Sequence, residues 1–158
     1  MREHTCCFTG HRKIPQDKLL TIRKNLKTAI MSAFEDGYIY FGSGGALGFD
    51  TLAAQTVLEM KKQYAQIRLI LVLPCLSQAR YWREQDISEY ERIKRCADKV
   101  VYTSQEYTYD CMHQRNRHLV DNSSLCICYL KEHSGGTAYT VKYAESRGLD
   151  IRNISLLF

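Results

Sequence analysis

What this 158-residue sequence has little of narrows its class before any motif is read. Prolines number only two, and no low-complexity tract or long block of one charge occurs, so disordered tails and hinge linkers are not expected. No apolar run approaches the roughly 20 residues that span a bilayer. The opening residues, Met1-Arg2-Glu3-His4, lack the long apolar stretch and small-residue cleavage site of a secretory leader. The seven cysteines contain no Cys-x2-Cys pair, which removes the usual zinc spacing. Cys6-Cys7 and Cys126-Ile127-Cys128 instead lie in apolar runs, where a thiol behaves as a small hydrophobe. Metal and disulfide readings are therefore set aside for reduced core cysteines, and a cytoplasmic location is expected.

What is present is ordinary for a globular chain: 45% hydrophobic and 25% charged residues. The length fits one domain, 1–158, with a single substantial core. The net charge of +5 suits an anionic ligand without implying nucleic acid. Basic runs such as Arg23-Lys24-Asn25-Leu26-Lys27 and Lys61-Lys62 read as solvated helix faces.

Strand-like and helix-like segments alternate along the whole chain. Short apolar or β-branched runs predict strands over 5–9, 38–41, 67–73, 99–102, 125–130 and 151–156. Leu19, Leu20, Ile22, Leu26, Ile30 and Phe34 trace one face of a helix that stops near Gly37. Further helices are predicted over 47–64, 83–96 and 110–121, and one opened by Gly135-Gly136-Thr137 that ends near Gly148. The almost continuous apolar run at 67–73 reads as a central parallel strand buried on both faces. This order argues for an α/β fold: a three-layer, Rossmann-like arrangement in which helices flank a mainly parallel sheet. Such folds bind ligands outside the carboxyl ends of their strands, near the point where the strand order reverses.

Three turns open toward that rim. Thr9-Gly10-His11-Arg12 follows the first strand; Gly10 permits a tight turn, and His11 and Arg12 offer a grip on an anion or a base edge. In Gly42-Ser43-Gly44-Gly45-Ala46-Leu47-Gly48-Phe49-Asp50, which follows the 38–41 strand, Gly42 to Gly45 reads as a turn and the residues from Leu47 as a helix start, an order that forms an anion cradle. It is neither a P-loop nor a clean dinucleotide fingerprint, because no lysine follows and the glycine spacing differs. Asp50 falls in the first helical turn, where it stabilises the helix N-terminus, holds a ribose hydroxyl or orients the loop. Ser134-Gly135-Gly136-Thr137 is a second glycine-rich helix start. Arg115-Asn116 lies on the helix before it, placed either to reach a ligand or to form surface ion pairs. Trp82, the only tryptophan, follows the 67–73 strand and is expected to pack rather than stack on a base.

Together these motifs resemble the YpsA-like proteins of the SLOG superfamily, a Rossmann-like group that includes DprA and the LOG enzymes. The likeness runs along nearly the whole chain. It implies a nucleotide or nucleotide-derived ligand of the ADP-ribose, NAD-like or nucleoside-monophosphate kind. It carries site roles to Thr9, Gly10, His11, Arg12, Gly42, Ser43, Gly44, Gly45, Ala46, Gly48, Asp50, Arg115, Asn116, Gly135, Gly136 and Thr137. LOG enzymes carry Pro-Gly-Gly-x-Gly-Thr-x-x-Glu, whose glutamate takes part in cleaving an N-glycosidic bond. Here Ser134 stands at the proline, Lys142 at the glutamate, and Glu145 one turn further on, so LOG-type hydrolysis does not carry over. The Ser43–Asp50 stretch is also similar to DprA's Ser-Gly-x-Ala-x-Gly-x-Asp pattern, which makes single-stranded DNA binding the alternative reading.

No acid/base pair or activated nucleophile is recognisable beside the glycine turns, so the leading expectation is a sensor or regulatory protein that holds a nucleotide. A nucleotide-processing hydrolase or transferase is a further alternative. A protein partner and a homo-oligomer stay open, and no membrane partner is expected.

Overall fold

Five short runs rich in β-branched, aromatic, leucine and cysteine residues and a more polar sixth pair side by side into one parallel sheet. A computed structural model describes residues 1–157. Among them the strands are β1 (Thr5–Gly10), β2 (Tyr40–Ser43), β3 (Arg68–Leu73), β4 (Lys99–Tyr102), β5 (Leu125–Tyr129) and β6 (Asp150–Asn153). They alternate with helices α1 (Leu19–Glu35), α2 (Phe49–Lys61), α3 (Glu84–Cys96), α4 (Cys111–Asp121) and α5 (Gly136–Ser146). The spatial order is β4-β3-β2-β1-β5-β6, and every pairing is parallel. This is the expected three-layer, Rossmann-like α/β arrangement.

The order explains the layers. From β1 the chain steps outward to β4 through α1, α2 and α3. Helix α4 then carries it back across the sheet to β5, on the other side of β1. Right-handed crossovers in opposite directions put their helices on opposite faces. Phe8, Phe41, Leu69 and Leu71 accordingly face Ile22, Leu26 and Ile30 of α1 and Ala53 and Val57 of α2. On the other face, Cys7, Cys126 and Cys128 meet Leu119 and Val120 of α4 and Val141 and Ala144 of α5. Neighbouring residues thus serve opposite cores: Cys6 looks one way and Cys7 the other.

Several expected boundaries move, each for a local reason. Strand β2 begins at Tyr40 and runs through Ser43, because Gly42 and Ser43 pair with Ile70 and Leu71; they are strand residues and not turn. Helix α2 begins at Phe49 rather than 47, since Gly48 has φ +81 and caps the helix from outside it. Strand β6 ends at Asn153, whose side chain accepts from the Leu130 amide at 3.1 Å and donates to the Leu130 carbonyl at 3.0 Å. Residues Ile154–Leu157 turn into a 3-10 helix instead. The 67–73 run becomes β3, one strand in from the edge rather than central. Arg68 and Ile70 are only half-buried, so its second face is not sealed.

At the carboxyl end of the sheet the fold is tied by aromatic rings. Phe49, at the start of α2, packs edge-on against Phe8 (6.3 Å between centroids) and stacks with Tyr129 (6.1 Å). A Cβ added at Gly10 would fall on the Phe49 ring. Among the described residues no helix is long and apolar enough to cross a membrane.

Gly10→Ala should therefore act as an overpacking change and cost about 1–3 kcal/mol. Urea unfolding followed by far-UV circular dichroism would show this as a lowered midpoint with an unchanged slope.

Candidate functional site

The sheet reverses its strand order between β1 and β5, and a cleft of about 300 Å³ opens at their carboxyl ends. Ligand sites in open α/β sheets favour this position, and the volume is at the lower end of the roughly 300–1,000 Å³ usual for small-molecule pockets. Thr9, Gly10, His11 and Arg12 line one side. Glu132 and Ser134 through Thr137 line the other, with Ala46, Asp50, Met112 and Asn116 between them.

The two glycine-rich helix starts do different jobs. At α5, Gly135 has φ +96, the left-handed region that favours glycine, and precedes the helix. A Cβ at Gly135 or Gly136 would meet nothing within 4 Å, and both residues are exposed. The first amides of α5 have no acceptor within the helix, and they lie in the cleft wall together with the positive end of the helix dipole. This is an open cradle.

The junction before α2 is closed from inside. Arg115 is only 4% exposed and donates from Nη1 to the Gly44 carbonyl, while Gln78 donates to the same oxygen at 3.4 Å. Ser43 Oγ donates to the Asp50 carbonyl at 2.9 Å and accepts from the Gly45 amide at 3.2 Å. Asp50 Oδ2 accepts from the Ala46 amide at 3.3 Å. Gly44 has no side chain because the Arg115 guanidinium occupies that space, and Gly45, at φ +68, lies against Leu73 and Tyr90.

Electrostatics follow from this burial. Desolvation pushes the Asp50 carboxyl above the usual carboxylate range, and the Arg115 charge pulls it back in part. Burial also lowers the Arg115 guanidinium from its ordinary value, against the opposing pull of Asp50.

His11 has a role the sequence did not show. Its Nε2 accepts from the Lys131 amide at 2.9 Å and from the Glu132 amide at 3.2 Å, so this imidazole carries its proton on Nδ1. His11 thereby pins the β5–α5 loop to the end of β1, and its ring meets Tyr129 edge-on at 5.8 Å. Burial lowers its pKa, while Glu132 acts in the opposite direction.

Of the residues expected at the rim, Thr9, Gly10, His11, Arg12, Ala46, Asp50, Asn116, Gly135, Gly136 and Thr137 converge on the cleft. The others do not line it. Gly42 lies on the opposite side of the sheet against Leu119, and Ser43, Gly44 and Gly45 are buried scaffold. Gly48 supports the Arg12 backbone, since a Cβ there would strike the Arg12 carbonyl. Arg115 turns inward instead of forming surface ion pairs, and its Nε donates to Asn116 Oδ1 at 2.7 Å. Sequence reasoning missed Met112, Glu132 and Ser134 in the lining and Gln78 as a brace. Only Ser134 carried a signal, from its place beside the glycine pair. Trp82 packs edge-on against Tyr90 at 5.1 Å, and Glu145 is exposed near the far end of α5.

A model of the YspA SLOG family matches residues 6–156. A UPF0398 protein of Bacillus cereus is 30% identical over 140 residues, covering 87% of this chain and 76% of that protein. One from Brevibacillus brevis is 29% identical over 132 residues, covering 82% and 70%. Among solved structures, DprA from Streptococcus pneumoniae superposes with a TM-score of 0.69 at 17% identity, covering 94% of this chain and 49% of that one. DprA from Helicobacter pylori, described for its single-stranded DNA binding mode, gives a TM-score of 0.67 at 15% identity, covering 93% and 63%. At these identities the likeness is one of fold, and the chain spans only about half the length of the Streptococcus pneumoniae protein.

Two outcomes follow from the braces. Arg115→Met should destabilise by about 1–3 kcal/mol, because it removes a charged donor to the buried Gly44 carbonyl and the cation that offsets the buried Asp50 carboxylate. Urea titrations should show this penalty shrinking as pH falls and Asp50 takes up a proton. For His11, the folded pKa lies below the unfolded value, so its stabilisation is complete above about pH 6.5 and lost as pH falls through the folded value. Replacing His11 with Gln, which keeps an acceptor but does not titrate, should flatten that part of the pH–stability curve between pH 7.5 and 5.

Proposed function

The chain belongs to the YspA SLOG family, and from that premise we propose that its rim cleft binds a nucleotide or nucleotide-derived ligand as a sensor or regulatory site. The observation that carries this reading is the open start of α5. Gly135 and Gly136 are exposed, lie beside a cleft at the strand-order reversal, and have nothing in the space a side chain would fill. The positive φ of Gly135 accounts for that glycine, but neither packing nor backbone conformation requires one at Gly136; a ligand that must approach backbone amides supplies a reason.

A phosphate on the Gly136–Thr137 amides would have Arg12 across the cleft to complete its charge. Asp50 and Asn116 would then meet hydroxyl or amide groups of the same ligand. We read binding rather than turnover because the candidate catalytic groups are already engaged. His11 Nε2 accepts two backbone amides, and one oxygen of Asp50 holds Ala46. Lys142 and Glu145 are exposed on α5 beyond its first turn, outside the cleft lining.

A second reading rests on a separate observation. The loops after β3 and β4 present Tyr81 (87% exposed), Tyr107 (67%) and Tyr109 (100%), with the Arg80 guanidinium 5.3 Å from the Tyr81 ring centroid. Exposed aromatics with cations on one rim suit stacking of unpaired bases, and the DprA fold likeness supports single-stranded DNA as the partner.

The nucleotide reading predicts a thermal shift with at least one of ADP-ribose, NAD and AMP. Gly136→Glu should abolish that shift by filling the cleft with negative charge. The same variant should move the ligand-free midpoint by no more than about 1–2 °C, since its side chain enters open space at a helix N-terminus. No shift across the panel would reject the reading. Were DNA the partner, affinity for an oligonucleotide should fall with salt by about 0.7 log units per log unit for each phosphate contacted. Tyr107→Ala and Tyr109→Ala should each weaken it by about 1–3 kcal/mol. A lack of binding at low salt would end that alternative.

A further inference from the structure

Arg12 lines two cavities, not one. Besides the rim cleft it borders a neighbouring cavity of about 290 Å³ walled by the first turns of α1 and α2 and by Asp86 of α3. The Arg12 backbone is seated on Gly48, while its side chain is exposed and makes no hydrogen bond or ion pair among the described residues. A guanidinium fixed at its root and uncommitted at its tip thus stands at the boundary of two cavities of nearly equal volume. Each alone is near the lower limit for a small-molecule site.

We propose that the second cavity is a subsite for a polar group joined to the nucleotide through a diphosphate, with Arg12 meeting the diphosphate between them. This deepens the nucleotide reading of the cleft and rests on it. The planar fork of arginine suits adjacent phosphate oxygens, which a lone terminal phosphate held at α5 would leave partly unused. The far cavity carries hydrogen-bonding groups over an aliphatic floor. Ile14 and Leu47 supply apolar surface, and Gln16, Arg23, Gln55 and Asp86 supply donors and acceptors. That mixture fits a hydroxylated sugar or a small substituted ring better than a long apolar chain.

Some of these groups are already held in place. Arg23 donates to Gln55 Oε1 at 3.3 Å, and Gln55 Nε2 donates to Glu89 Oε2 at 2.6 Å. Among the described residues Gln16 makes no side-chain hydrogen bond, and it is exposed, so it is available to a ligand and tolerant of replacement.

Calorimetric titration of the full chain with AMP and with ADP-ribose tests the subsite. ADP-ribose should bind at least tenfold more tightly than AMP. Gln16→Trp, which fills the second cavity from its exposed edge, should bring ADP-ribose to the affinity of AMP and leave AMP within twofold of the unmodified protein. Arg23→Glu should act in the same direction, and a cooperative unfolding transition establishes that each variant is folded. Equal affinity for the two ligands overturns the second subsite while leaving the cleft reading intact. So does a Gln16→Trp protein that weakens both ligands alike or neither. Failure of both nucleotides to bind the unmodified protein overturns the cleft reading, and this inference with it.

Discussion

The contact on which the rim depends is the one between a buried guanidinium and a glycine carbonyl. Arg115 of α4 reaches under the β2–α2 junction and donates to Gly44, in space that any side chain at residue 44 would take. That contact joins the two helical layers of the sandwich, because α4 packs on one face of the sheet and α2 on the other. Burying a cation is costly unless nearby charge and hydrogen bonds offset it. Asp50 and Asn116 serve that end, one by its charge and one by accepting from Arg115, while Gln78 braces the same carbonyl from its own side. The arrangement fixes the height of Ala46 and Asp50 relative to β1, and so one wall of the cleft.

Rigidity on that side contrasts with openness on the other. The loop from β5 to α5 is exposed through Gly136, and the His11 imidazole that follows β1 accepts from two of its amides. Arg12 stands between, with its root fixed by Gly48 and its tip uncommitted, and this is why two cavities share one cation.

Much of the fold was legible in the residue pattern, and for a simple reason. Parallel strands buried by helices read as short apolar runs, and their crossovers read as 3.6-residue periodicity, so the alternation of elements shows directly. The ends of elements were less legible. Gly42 and Ser43 read as turn residues because glycine and serine favour turns, yet pairing with Ile70 and Leu71 makes them strand. Leu47 reads as helical by its periodicity, but the positive φ of Gly48 keeps it outside. Ile70 reads as fully buried, although α4 alone crosses that part of the second face. In each case a contact distant in sequence outweighed the local preference.

By itself the sequence determined the order of elements, the rim on which glycine junctions gather, and the chemistry on offer there: bare backbone, an arginine, a histidine and a carboxylate. Those follow from residue type and spacing, which local physics reads. Tertiary structure alone decided which junction is a cradle and which is scaffold. Gly44 and Gly136 look alike in a string of letters; one is bare to admit Arg115, the other borders open space. The difference lies in what stands 71 residues away in the chain. Tertiary structure also decided that Arg115 supports the rim from beneath and that His11 clasps the opposite loop. Both roles depend on which partners the strand order brings within hydrogen-bonding distance, and the reversal between β1 and β5 sets that order.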